Sequence, residues 1–224
     1  MHAELILNAR NGVGESPVWN THEQALYWVD IPNGRLHRWG LTDGASRSWQ
    51  APQMLACIAR DDRAQGTGWI AGMQSGLFSL APNDDGTLST QSLVAVTHDQ
   101  PEMRFNDGRC DRQGRFWAGT MVLDMGLGIP AGKLYRYASR EQAALDAMLD
   151  NLIVPNGLAF SPDGRTMYLS DSHPNRQLIW AFDYDTDSGT PSNRRLFVDM
   201  NQHPGRPDGA AMDEAGCYWI CAND

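Results

Sequence analysis

The chain has 224 residues, enough to bury one sizeable hydrophobic core. Its 18 basic and 27 acidic side chains give a formal net charge of −9, which disfavours nucleic acid as a partner because phosphate binding needs a basic face. No apolar run reaches the length of a membrane span, and the first residues lack the basic and apolar regions of a signal peptide. We therefore expect a cytoplasmic monomer or weak oligomer without a nucleic-acid or membrane partner.

The N-terminal part of the chain alternates short β-rich runs with polar turns. Residues 16–19 are followed by the run Ala25–Asp30, and a Pro-Asn-Gly turn at 32–34 leads into residues 35–39. Runs of four to six residues between such turns are too short for amphipathic helices and are typical of strands. Later runs at 115–119, 166–170 and 217–221 each follow a turn rich in Asp or Gly. One segment, residues 140–148, has a helical composition, and we predict a single helix there.

A short motif recurs along the chain. Its copies lie at residues 14–17, 105–108, 155–158 and 207–210, with a weaker copy at 57–60, so that equivalent positions are 43 to 52 residues apart. Repeats of this length are typical of β-propeller blades. We expect residues 1–224 to form a single all-β propeller domain with about four complete four-stranded blades and the start of another.

The repeat places four oxygen-bearing side chains at equivalent positions: Glu15, Asn106, Asn156 and Asp208. Equivalent positions of successive blades converge on the central channel of a propeller. Carboxylate and amide oxygens form a hard ligand set that suits Ca²⁺, Mg²⁺ or Mn²⁺ and can hold Zn²⁺. The structural alternative is that Asn and Asp before Gly simply close turns, which is our interpretation of Asp107. Glu15 has no such turn role, and a buried charge needs a partner.

Cysteine and histidine do not indicate a second kind of site. The four cysteines are Cys57, Cys110, Cys217 and Cys221, and the last two fall in one predicted strand, too far apart to form a disulfide. Four reduced thiols favour a cytosolic protein, and their spacing does not indicate a zinc site. The six histidines are scattered along the sequence.

Several segments resemble the gluconolactonase/regucalcin family of sugar-lactone hydrolases. They are residues 14–19, 104–109, 117–121, 156–158 and 206–209, which cover essentially the whole chain in the family's order. The resemblance implies a six-bladed β-propeller with one divalent metal ion in its central channel. It further implies that Glu15, Asn156 and Asp208 are the metal ligands.

The resemblance also implies a substrate site. Arg104 and Asn106 would contact the substrate, with Asn106 close to the metal. Asp124 stands where the family often has a Glu, and its side chain is shorter. Family members continue for about another blade and a half beyond Asp224, so we expect a propeller that is incomplete at its C-terminus.

The expected activity is metal-dependent hydrolysis of a sugar lactone, gluconolactone-like or arabinonolactone-like, to the aldonic acid. The cation would polarise the lactone carbonyl, and Asp208 would act as the general base. Two alternatives stay open at this point. One is an esterase or phosphotriesterase on the same scaffold, and the other is a non-catalytic, calcium-binding regulatory propeller.

Overall fold

The computed structural model describes residues 4–61, 68–139 and 144–223, and its regular structure is almost entirely β-strand. Four antiparallel four-stranded sheets follow one another along the chain, and a two-stranded hairpin follows the fourth. Within every sheet the strands lie side by side in chain order. The prediction of an all-β chain built from short, turn-linked strands is therefore confirmed.

The strands are numbered β1 to β18 in chain order. Sheet 1 contains Gly14–Asn20, Ala25–Asp30, Arg35–Gly40 and Ser46–Gln50. Sheet 2 contains Leu55–Asp61, Gly68–Met73, Gly76–Pro82 and Leu88–Ala95. Sheet 3 contains Met103–Cys110, Phe116–Val122, Gly132–Tyr137 and Leu145–Leu152. Sheet 4 contains Pro155–Phe160, Thr166–Asp171, Leu178–Asp185 and Thr190–Asp199, and the hairpin, sheet 5, contains Arg206–Met212 and Tyr218–Asn223. Two short 3₁₀ turns lie at Met125–Leu127 and Met200–Gln202.

Apolar side chains at every second position give these strands a buried face. In β2, Ala25, Tyr27 and Val29 are almost completely buried, as the two-residue period of a strand requires. The turn between β2 and β3 needs a left-handed residue, which Gly34 provides with φ +57°. Local sequence therefore determines both the strand and the turn that ends it.

The sheets pack face to face, and one apolar cluster fills each of the interfaces between sheets 1 and 2, 2 and 3, and 3 and 4. Between sheets 1 and 2, the rings of Tyr27 and Trp69 lie 4.5 Å apart. Between sheets 3 and 4, Trp117, Phe160 and Tyr184 form a cluster with ring centroids 5.0 to 6.2 Å apart.

The first strand of each sheet contacts the first strand of the next. These contacts run from β1 to β5, β9, β13 and β17 in turn. Innermost strands that meet in this way are the defining arrangement of a β-propeller. The first strands of all five sheets therefore lie side by side around the inside of the molecule.

The predicted helix at 140–148 is wrong where the structure can test it. Residues 145–148 belong to β12, which pairs with β11, while 140–143 lie outside the described residues. Met148 and Leu149 pack against the cluster between sheets 3 and 4. Burial on a sheet outweighs helix propensity here, as tertiary contacts often do.

The structure also bears on disulfides and on membrane-spanning helices. None of the four cysteines, all of which the structure describes, forms a disulfide, and Cys57 is buried while Cys217 and Cys221 are exposed. In the described ranges, no helix has both the length and the apolar character needed to cross a membrane.

Candidate functional site

The four stronger copies of the repeated motif each lie at a β-bulge in the first strand of their sheet, whereas the weaker copy at 57–60 pairs with β6 in regular register. The pairing of β1 with β2 shifts register between Glu15 and Val18, and β13 shifts between Asn156 and Ala159. Equivalent shifts occur in β9 and β17, while the shift in β5 lies ahead of the motif, between Leu55 and Cys57. A bulge inserts an extra residue and redirects the neighbouring side chains. The Asn-Gly and Asp-Gly pairs therefore mark bulges inside strands, and the turn interpretation of these pairs is wrong.

The carboxylates of Glu15 and Asp208 lie near each other although 193 positions separate them in the sequence. Both side chains are half-buried, and a Cβ atom at position 209 would lie 4.0 Å from Glu15 Oε2. The pKa of Glu15 is raised to about 7, first by burial and then by the negative charges of Asp208 and Asp107, while the charge of Arg104 opposes the shift. Burial also raises the pKa of Asp208.

Arg104 and Asn106 form one hydrogen-bonded unit on β9. The Arg104 guanidinium donates to the Asn106 Oδ1 atom and to the Phe105 carbonyl, both at 2.8 Å. Asn106 Nδ2 donates to the Pro155 carbonyl at 3.0 Å, which joins sheet 3 to sheet 4. Because a guanidinium only donates and a carbonyl only accepts, these two partners determine the orientation of the Asn106 amide.

Asn156 is 6% exposed, and its side-chain amide is hydrogen-bonded to Ser172. Asn156 Nδ2 donates to Ser172 Oγ at 2.8 Å, and the Ser172 hydroxyl donates to the Pro207 carbonyl. The residue after Pro207 is Asp208, so this chain of hydrogen bonds joins two of the predicted metal ligands across the interface between sheets 4 and 5.

Glu15, Arg104, Asn106, Asn156 and Asp208 form what we call the polar centre. Asp107 belongs to it and not to a turn, which corrects the prediction for this residue. It lies within β9 at the bulge, where its carboxylate accepts from the backbone N–H groups of Gly108 at 2.8 Å and Leu158 at 3.1 Å. Burial raises its pKa. Asp107 therefore adds a third carboxylate whose charge acts on Glu15.

Asp124 is placed differently from the other predicted site residues. Its exposed side chain caps the 3₁₀ turn Met125–Leu127 and accepts from Gly126 N at 2.9 Å. The imidazole of His173 in turn contacts the Met125 carbonyl at 3.0 Å, which attaches this turn to sheet 4. The role of Asp124 in substrate binding stays a prediction.

The sequence reasoning missed two residues, Ser172 and Tyr218. Tyr218, on β18, donates from its hydroxyl to the Gly157 carbonyl at 2.6 Å and so attaches sheet 5 to sheet 4. Gly157 has φ +60°, and a Cβ there would lie 2.5 Å from the Tyr218 hydroxyl. The repeat could have drawn attention to Tyr218, because this residue lies in the second strand of its repeat. Ser172 belongs to no recurring motif.

The donor set at this centre fits a hard cation. Among the described residues, no cluster of three or more His, Cys, Asp or Glu side chains forms a metal-holding group, so a site here would need an amide. Asn156 supplies one, since its nitrogen is bound to Ser172 and its oxygen faces away from that bond. Two half-buried carboxylates with raised pKa values are costly to ionise side by side, and a bound cation would remove that cost.

The fold and the site together define a β-propeller with a polar site of carboxylates, amides and a guanidinium on its inner strands. The comparison with protein families identifies the particular family. Residues 13–224 match the SMP-30/gluconolactonase/LRE-like region, and the chain belongs to this family.

Curated relatives of the chain include proteins named as lactonases. The chain is 41% identical to a 6-deoxy-6-sulfogluconolactonase of Pseudomonas putida over 95% of its own length and 69% of the relative's. It is 32% identical to regucalcin of Danio rerio, covering 98% of the chain and 71% of the relative. It is 31% identical to a pentonolactonase of Haloferax volcanii, covering 92% and 65%.

Solved structures show the same fold. A luciferin-regenerating enzyme superposes with a TM-score of 0.86 at 28% identity, over 95% of this chain and 69% of that one. A calcium-binding regucalcin of Agrobacterium tumefaciens superposes with a TM-score of 0.85 at 26% identity, over 97% and 70%.

Proposed function

We propose that this protein is a cation-dependent hydrolase that opens a sugar lactone to the corresponding aldonic acid. The observation that carries the proposal is the approach of the Glu15 and Asp208 carboxylates beside the oriented Asn156 amide. The family and its relatives named sulfogluconolactonase and pentonolactonase supply the reaction class.

Glu15, Asn156 and Asp208 would hold one divalent cation through oxygen atoms. Ca²⁺, Mg²⁺, Mn²⁺ and Zn²⁺ all accept such a set, and the donors do not choose between them. When bound, the cation supplies positive charge for the carbonyl oxygen of the lactone as that oxygen becomes an oxyanion.

Asp208 is the proposed general base. It accepts a proton from the water whose oxygen attacks the lactone carbonyl carbon, and the proton passes to the ring oxygen as the carbon–oxygen ester bond breaks. Its raised pKa fits this role, because a base is most effective when its pKa lies closer to the working pH.

Arg104 and Asn106 are the proposed substrate contacts, and Asp124 is the proposed acceptor for a substrate hydroxyl. Arg104 is half-buried, and burial lowers its pKa while the charge of Glu15 opposes that effect. A guanidinium beside this acidic centre would attract the carbonyl oxygen and offset the repulsion of the carboxylate product.

Three further points belong to this proposal and not to the observed structure. They are a propeller with six blades, a location in the cytoplasm, and a monomeric or weakly oligomeric state. The blade count draws support from the four four-stranded sheets and one hairpin of this chain, which correspond to 69% of the P. putida relative.

A substrate panel tests the proposal. The protein is freed of metal with a chelator, reloaded with each of the four cations, and assayed on gluconolactone, pentonolactones, 6-deoxy-6-sulfogluconolactone, aryl esters and organophosphates. We expect cation-dependent turnover of lactones and its loss in Glu15→Gln. Turnover of only aryl esters or organophosphates would support the esterase alternative, and cation binding without any turnover would support the regulatory one.

A further inference from the structure

Ser172 occupies the position directly after β14 and is 4% exposed. Its hydroxyl has two polar neighbours, Asn156 Nδ2 at 2.8 Å and the Pro207 carbonyl oxygen. One neighbour lies in sheet 4 and the other in sheet 5, so the serine bridges the two inner strands that carry Asn156 and Asp208.

The direction of these hydrogen bonds follows from the chemistry of the three groups. The Pro207 carbonyl can only accept, so the single hydroxyl proton of Ser172 must go to it. The Ser172 oxygen is then left as an acceptor, and the Asn156 group that faces it must be the NH₂. The Asn156 Oδ1 atom is consequently the end of the amide that does not face Ser172.

We propose that Ser172 is a positioning residue that selects the cation-binding orientation of the Asn156 amide. This inference rests on the proposed function, because it assumes that Asn156 presents its oxygen to a cation. Without the serine, either end of the amide can face the centre, and the NH₂ end repels a cation.

A comparison with Ser170 and Asn106 shows why the role belongs to Ser172. Ser170 lies opposite Asn156 in the pairing of β13 with β14 and is completely buried, yet within the described part of the chain its hydroxyl has no hydrogen-bond partner. Asn106, the equivalent amide of sheet 3, is oriented by Pro155 and Arg104 instead. Of these two amides, Asn156 is the one held by a serine, and that serine donates its proton to the Pro207 carbonyl.

Titration calorimetry with Mn²⁺ and with Ca²⁺ on the metal-free protein tests the proposal. Ser172→Ala should weaken cation binding by about 10-fold or more, the order seen when a hydrogen-bond partner of a metal ligand is removed. Ser170→Ala is the matched control, because it deletes a buried serine hydroxyl next to Asn156 without deleting a hydrogen bond, and it should bind as the unsubstituted protein does. Ser172→Cys replaces Ser172→Ala if circular dichroism shows that the alanine variant does not fold.

The Asn156→Asp background separates orientation from general loosening. A carboxylate has an oxygen at both ends, so its orientation no longer matters, and Ser172→Ala should then change the Mn²⁺ affinity by less than about 2-fold. A 10-fold loss that persists in this background overturns the inference, because the serine would then act through the strand that carries Asp208. Unchanged binding in Ser172→Ala alone also overturns it while leaving the proposed function intact. Failure of the unsubstituted protein to bind either cation overturns both.

Discussion

The two halves of the polar centre are built differently. Asn106 and Asn156 lie on sheets 3 and 4 and are 8% and 6% exposed. The Asn106 amide donates to the Pro155 carbonyl of the adjoining sheet, and the Asn156 amide donates to Ser172, directly after β14 of its own sheet. Glu15 and Asp208 lie on β1 and β17, are half-buried, and have raised pKa values. Asp208 Oδ2 accepts from Nδ2 of the exposed Asn223 at a long 3.4 Å.

Hydrogen bonds within the protein can orient the amides, but they cannot remove the repulsion between the two carboxylates. Neutral amides can be fully paired inside a protein at little cost, because each donor finds an acceptor. Two neighbouring carboxylates repel, and burial adds to the cost of ionising them. The amide half is therefore oriented by the protein itself, while the carboxylate half is stabilised only by a proton or a cation.

The largest expected effect comes from the carboxylate half. Asp208→Asn keeps an oxygen that can face a cation and removes the basic group, so we expect partial cation binding and a loss of about 10²- to 10⁴-fold in kcat. Lactone turnover at saturating cation measures it.

Asp213→Asn is the matched control for Asp208→Asn. The same substitution then falls on the same hairpin, at a carboxylate that accepts from Cys217 N and Trp219 Nε1, each at 2.8 Å. We expect near-normal turnover from it. Full activity of cation-saturated Asp208→Asn would place the base elsewhere, and Asp124 would be tested next.

The second effect concerns the packed interface between sheets 3 and 4, the two sheets that carry Asn106 and Asn156. Leu169 is 1% exposed in that cluster, and Leu169→Ala should lower the free energy of unfolding by about 2–5 kcal/mol. Leu196, in the last strand of sheet 4, is 58% exposed, and Leu196→Ala should change it by about 0.5 kcal/mol or less. Urea unfolding of both variants measures the contrast, and equal losses would show that burial does not distinguish the two positions.

The sequence predicted which residues meet but not how the backbone brings them together. The period alone placed Glu15, Asn106, Asn156 and Asp208 at equivalent positions, and the structure puts them on the inner strands of their sheets. Asn-Gly was ambiguous, because turns and bulges both use a residue with positive φ, as Gly157 does here. Only strand pairing separates the two.

Ser172 illustrates what no local pattern could have supplied. Its function depends on the Pro207 carbonyl, 35 positions away, and backbone carbonyls leave no signature in the sequence. The helix predicted at 140–148 failed for a related reason. Its Ala-rich composition favours a helix locally, whereas the partner strand β11 and the core cluster that hold Leu145–Leu152 as β12 are set by the rest of the fold.

The third effect concerns pH and sharpens the view that the carboxylate half needs a proton or a cation. Glu15 has a pKa raised from 4.5 to about 7, so the folded chain binds this proton more tightly than the unfolded chain does. The stabilisation is fully present below about pH 4.5 and is lost as the pH rises through 7. In chelator, Tm should therefore fall between pH 6 and pH 8, and it should fall less in Glu15→Gln.

The exposed carboxylate Glu102 provides the control for this pH effect. Glu102→Gln removes a charge from the surface and should leave the pH dependence of Tm unchanged. An equal pH dependence in Glu15→Gln and the unsubstituted protein would show that another group is responsible. Cation affinity should change in the opposite sense and rise with pH, because the ligand carboxylates must be deprotonated.

The smallest expected effect lies where the two halves meet. Arg104 is bonded to Asn106 on one side and its charge acts on Glu15 on the other. Because it contacts substrate in our proposal and does not exchange protons, Arg104→Ala should mainly raise KM, by about 10-fold, with a smaller change in kcat. Arg112→Ala is the control, since Arg112 also donates to backbone carbonyls, those of Phe160 and Ser161, but on an exposed turn. Lactone kinetics at saturating cation separate KM from kcat. If Arg104→Ala lowers kcat and leaves KM unchanged, the guanidinium acts on the transition state, and the amide half would take part in the chemistry as well as in binding.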